Sequence, residues 1–126
     1  MSMIAYITLG GIAGTLARWF LQGWIQQRSG LVTFPIGTLA INVIGSLIIG
    51  FVVRLATGST IVSPELRGAL TIGFCGAFTT MSTFSYESMK LLADGEYWYA
   101  GLYMGGTMLG CLAAVISGTA LASKLL

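Results

Sequence analysis

In a chain of 126 residues, 56% hydrophobic residues, only 8% charged residues and a mean hydropathy of +0.88 lie far outside the soluble range of about 25% charged. At about 20 residues per crossing, its four apolar blocks use up nearly the whole length and leave no room for a soluble domain, so the composition predicts an integral membrane protein whose first partner is the lipid bilayer. The net charge of +2 is too small and dispersed to argue for nucleic acid, and two cysteines, Cys75 and Cys111, without C-x-x-C spacing in a chain with no histidine argue against metal or redox chemistry of the usual kinds.

The first helix is predicted over about 3–25, a membrane span and not a cleaved signal, because it lacks a basic leading region and its apolar run outlasts signal-peptide length. Gly10, Gly14 and Ala17 permit close approach to a neighbour. Arg18 is a charge well inside this apolar run. It either snorkels toward the interface beside Trp19 and Trp24 or is a buried cation that sets a positive field for an anion.

Gln26 to Phe34 is predicted as a loop, followed by a second helix over about 35–56 that opens on Pro35. Thr38, Asn42, Ser46 and Gly50 recur every four residues and form one polar or small face. Asn42, the only asparagine, sits near mid-span, where an unpaired amide costs several kcal/mol. It is either an inter-helix hydrogen bond or part of a polar pathway.

Ser63-Pro64-Glu65 is a helix start with a capping hydroxyl, a first-turn proline and an acid near the positive dipole end. A third helix over about 65–92 would be about 42 Å long, more than the roughly 30 Å of hydrocarbon. A break near 76–80, where Gly73, Gly76 and a Thr79-Thr80 pair weaken the helix, resolves the excess. Beyond it, Met81, Phe84 and Ser88 adjoin Thr80, Thr83 and Glu87 on one side. Asp94-Gly95-Glu96 is a turn, and Tyr97-Trp98-Tyr99 opens a fourth helix over about 97–123. Gly106, Gly110, Ala114 and Gly118 form its packing seam, and Tyr103, Thr107 and Cys111 a second stripe. Lysines and arginines divide three against three between the two sides, which predicts insertion in both orientations and an antiparallel two-fold dimer.

Three motifs closely resemble the fluoride channel family known as Fluc or CrcB: Gly10-Gly11-x-x-Gly14-x-x-Ala17-Arg18-Trp19, Pro35-x-Gly37-Thr38-Leu39-x-x-Asn42-x-x-Gly45, and Gly73-Phe74-Cys75-Gly76-x-Phe78-Thr79-Thr80-x-Ser82-Thr83-Phe84. The resemblance covers essentially the whole chain. It implies a non-enzymatic, passive fluoride exporter of the bacterial inner membrane, built as an antiparallel dual-topology homodimer with two pathways. It also implies a structural sodium ion at the centre, held by the backbone carbonyls of Gly76 and Thr79 from each copy. The pathway residues it implies are Asn42, Met81, Ser82, Thr83, Phe84, Tyr103, Thr107 and Thr38, with Arg18 as the helix-one arginine and Glu87 as a vestibule acid. Met81 stands where such channels usually carry phenylalanine, and a thioether lacks the electropositive ring edge that can face an anion. No phosphate-binding loop occurs, so no nucleotide is expected. The main rival, a small proton-coupled multidrug transporter, needs a helix-one carboxylate where this chain has Arg18.

Overall fold

A computed structural model of the chain describes residues 2–126, and every element among them is helical. Three helices, α1 (Met3–Ser29), α2 (Ile36–Gly58) and α6 (Tyr97–Ser123), are long and apolar enough to cross a bilayer. Between the last two, the remaining apolar block is assembled from pieces: α3 (Pro64–Gly68), a wide π-helical stretch (Ala69–Cys75), the single turn α4 (Gly76–Phe78) and α5 (Met81–Ala93). The chain is thus an all-α, multi-pass membrane protein with an interrupted helix, as its composition and block lengths predict.

Local chemistry sets the ends of these helices. Ser63 Oγ accepts the Leu66 N–H at 3.1 Å, with Pro64 next to it at the first helical position, where a missing N–H is harmless. α1 runs on to Ser29, past the predicted end near residue 25. The residues expected to form a loop stay helical until Gly30, whose left-handed φ of 70° caps the helix. Gly95, at φ 75°, supplies the corresponding turn between α5 and α6.

The interruption lies where the sequence places it, but its cause is narrower. Gly73 falls in the π-helical stretch and Gly76 keeps ordinary helical angles, so neither glycine makes the break. Thr79 and Thr80 make it, with extended backbones at ψ 158° and 116°. Both are β-branched, a shape that favours extended backbone over helix. Gly73 instead permits close packing, since a Cβ there would strike the carbonyl of Ile7 on α1.

Backbone-to-backbone packing dominates the rest. α2 lies along α6, and α1 lies along the π-helical stretch and α4. On the first seam, the Gly118 Cα faces the Leu47 carbonyl and Gly50 faces the Val115 carbonyl; on the second, Gly14 faces the carbonyl of Phe74. Such contacts replace the hydrophobic drive that apolar helices lack when the solvent is itself apolar. Large side chains are pushed outward, so Ile4, Trp19, Trp98 and Leu109 point away from the chain, as a lipid-facing surface requires.

A small core fills the end of the bundle near the α5–α6 turn. Tyr103, fully buried, packs with Leu91 and Ala100 against Phe34, Leu39, Phe84 and Met104. Its ring meets Phe34 edge-on at 5.7 Å and Phe84 at 5.2 Å.

These seams make a contrast that can be measured. Gly118→Leu forces α6 away from α2 and should cost about 1–3 kcal/mol or more, a typical overpacking penalty, read as a lower melting temperature in detergent. Gly105→Ala meets open space on the same helix and should leave the melting temperature unchanged or raise it.

Candidate functional site

A break in a membrane helix exposes N–H and C=O groups that have no water to turn to. Here a single side chain satisfies both groups of one residue. Asn42 Oδ1 accepts the Thr80 N–H at 2.8 Å, and Asn42 Nδ2 donates to the Thr80 carbonyl at 3.2 Å. The amide of α2 thereby stands in for a neighbouring strand. Asn42 is 7% exposed, so no solvent competes for these bonds. This is the inter-helix role considered for Asn42 from the sequence, and it leaves the second Nδ2 hydrogen uncommitted.

The hydroxyls of the break serve the backbone as well. Thr79 Oγ1 donates to the Cys75 carbonyl at 2.8 Å, and Thr80 Oγ1 caps α5 by accepting the Thr83 N–H at 3.2 Å. In a continuous helix the Thr80 N–H would serve the Gly76 carbonyl, and the Thr83 N–H the Thr79 carbonyl. Both donors are taken elsewhere, so the carbonyls of Gly76 and Thr79 lose their helical partners.

One cavity lies at the break and a second lies farther along α5, against α1. The smaller, about 370 Å³, is lined among others by Asn42, Gly76, Thr79, Met81, Phe84 and Thr107. Six of the pathway and sodium-site residues implied by the resemblance therefore share one space. The larger, about 840 Å³, brings Arg18, Thr38 and Glu87 together with Gln22 and Lys90. Ser82, Thr83 and Tyr103 line neither. Ser82 is exposed and Thr83 partly buried, in the hydroxyl cluster around Thr80, while Tyr103 is walled into the aromatic core. Met81 sits at the rim of the smaller cavity with 72% of its surface open.

Three buried polar atoms lack a hydrogen-bond partner among the described residues: Arg18 Nε, Tyr103 Oη and Thr107 Oγ1. A buried unpaired donor costs about 1–3 kcal/mol, so each of the three calls for an explanation.

Two glutamines of α1 were not singled out by sequence reasoning. Gln26 donates to the carbonyls of Leu31 and Phe34 at 2.8 and 3.1 Å and accepts the Gly37 N–H at 2.9 Å, tying the first loop to the start of α2. Gln22 Nε2 donates to Thr38 Oγ1 at 3.0 Å, and Thr38 Oγ1 donates to Glu87 Oε1 at 2.6 Å. The signal was present: Arg18, Gln22 and Gln26 follow one another at four-residue spacing, a polar stripe down one face of a helix. Reading Gln26 as loop concealed it.

The Asn42 bridge makes a direct prediction. Asn42→Leu keeps the bulk but strands the Thr80 N–H and C=O, and should cost about 2–6 kcal/mol, one desolvation penalty for each group. A lower melting temperature and faster amide exchange at Thr80 should report it.

Comparison with known proteins places this geometry in a lineage. A family model described as CrcB-like protein, Camphor Resistance (CrcB), matches residues 5–119. A Chlorobaculum tepidum protein named Fluoride-specific ion channel FluC is 47% identical over 122 residues, covering 97% of this chain and 95% of its own. Proteins of the same name from Geobacter sulfurreducens and Geotalea daltonii are 45% and 43% identical, covering 99% and 97% of this chain and 100% and 98% of theirs. With the family model spanning nearly all of it and such relatives aligned end to end, this chain belongs to the CrcB family.

Proposed function

We propose that this protein is a fluoride channel of the bacterial inner membrane, which lets the anion leave the cell down its electrochemical gradient. The relatives named as fluoride-specific channels support the ion. The observation that carries the mechanism is the pair of unpartnered buried hydroxyls on α6: Thr107 Oγ1, in the same cavity as Asn42, and Tyr103 Oη, one helical turn before it. Fluoride is small and strongly hydrated, so a narrow pathway must offer donors in place of lost water and still release the ion. Arg18 and Lys90 supply the cations of the larger cavity, which also holds the acids Glu87 and Asp94, and Thr38 supplies its hydroxyl. Farther in, the free Asn42 amide hydrogen, the Thr107 and Tyr103 hydroxyls and the electropositive edge of Phe84 succeed one another as donors. Ser82 and Thr83 serve through the cluster that fixes the break. Glu87, held by Thr38, supplies a negative limit that keeps the entrance from trapping the anion.

Four slender helices packed through glycine contacts leave little volume for a lumen within one subunit, and the smaller cavity opens on its outer face at Met81 and Met108. We therefore propose two copies in opposite orientations, an arrangement suited to the even division of lysine and arginine. The released carbonyls of Gly76 and Thr79 fit a hard monovalent cation, since such ions prefer oxygen ligands and an unwound helix presents them free. Sodium bound there would add fixed positive charge and cross-link the two breaks.

In liposomes loaded with potassium fluoride, a potassium ionophore should trigger fluoride release measurable with a fluoride electrode, while release no greater than from empty vesicles would sink the channel reading. Tyr103→Phe removes a hydroxyl with no partner, so it should leave stability unchanged or raised yet slow the efflux. Met81→Phe restores a ring edge at the cavity rim and should speed efflux; an equal or lower rate would remove the account given for that position.

A further inference from the structure

Thr38 has one hydroxyl hydrogen and two lone pairs. It is 1% exposed, so its bonds are those made with the protein. An ionised Glu87 can only accept, which commits the Thr38 hydrogen to Glu87 Oε1 at 2.6 Å. The Gln22 amide must then present its NH₂, since a reversed amide would set two acceptors against one hydrogen. The direction of the chain, Gln22 to Thr38 to Glu87, follows from this count.

We propose that Gln22 is a positioning residue that keeps Thr38 a hydrogen-bond donor toward the permeating anion. The proposal rests on the fluoride-pathway reading given above. With one lone pair occupied by Gln22 from α1, the Thr38 hydrogen points forward into the space that α5 shares with the larger cavity. There it serves Glu87, or an anion that displaces Glu87. Donation into the hydroxyl oxygen also polarises the O–H bond and strengthens it as a donor. Without Gln22, that lone pair is left empty in a buried site, the Thr38 hydroxyl is no longer held in one orientation, and the polarisation of its O–H bond is lost. Arg18, Lys90 and Asp94 line the same cavity and set its field, but none of them bonds to Thr38.

The test is a double-mutant cycle of fluoride efflux from liposomes. Gln22→Met keeps the length and helix preference of the side chain and removes the N–H. It should slow efflux about fivefold, the factor expected for one lost hydrogen bond. Thr38→Val should slow it at least as much. The double variant should be no slower than Thr38→Val alone, because Gln22 acts only through that hydroxyl. An unchanged rate in Gln22→Met, or the same added loss in the Thr38→Val background, overturns the proposal. A second measurement is independent of transport. Glutamates occur only at Glu65, Glu87 and Glu96, so ¹³C-glutamate labelling gives three side-chain carboxyl resonances, and Glu87→Gln assigns the relevant one. Gln22→Met should move the Glu87 resonance in the same direction as Thr38→Val does. A resonance that stays put overturns the positioning role even where efflux is slowed, whereas wild-type vesicles that release no fluoride overturn the channel reading instead.

Discussion

Everything in this fold turns on one constraint: in hydrocarbon, an opened backbone must be closed by the protein itself. The Asn42 amide does this for Thr80, accepting its N–H and donating to its C=O. That pair of bonds fixes α2 against the break and sets where α5 begins. It also frees the carbonyls of Gly76 and Thr79. The same amide keeps one hydrogen in reserve, so the group that holds the break together also lies on the proposed route of the anion. Stability and function are drawn from one side chain.

A bundle of this kind gains little from burying apolar surface, because lipid tails are as apolar as leucine. It gains instead from dispersion contacts at short range, which explains why α2 and α6 meet carbonyl against glycine at Gly50 and Gly118. The cost is volume. Helices packed this closely leave the cavities at the edges, between α1 and α5 and on the outer face beside α6. In the proposed reading the pathway runs along the surface and is completed by a second copy, which is the physical reason for proposing a dimer.

The polar inventory divides sharply by role. The Gln26 and Thr79 side chains spend their hydrogen bonds on the backbone, and the Thr80 hydroxyl divides its own between the Thr83 N–H and the Thr83 hydroxyl. Tyr103 and Thr107 spend none. Thr38 lies between these extremes, with its single hydrogen held by the Glu87 side chain. A channel needs this division, since rigid parts hold the width of the pore while only a few loosely engaged donors exchange water for ion.

Much of this was legible in the residues. Block lengths and hydropathy set the class, a third block too long for the bilayer pointed to a break near 76–80, and the Gly and Asn42 motifs carried the family resemblance. These are local signals, written in spacing and composition, which is why one chain suffices to read them. Tertiary structure decided what each group touches. Only packing showed that Thr79 and Thr80 make the break and the glycines do not, that Asn42 closes it, that Tyr103 is buried in an aromatic core, and that Gln22 reaches Thr38. The partners of Asn42 and Gln22 lie 38 and 16 positions away, and periodicity along a single helix holds no record of which neighbour the fold will bring to its face.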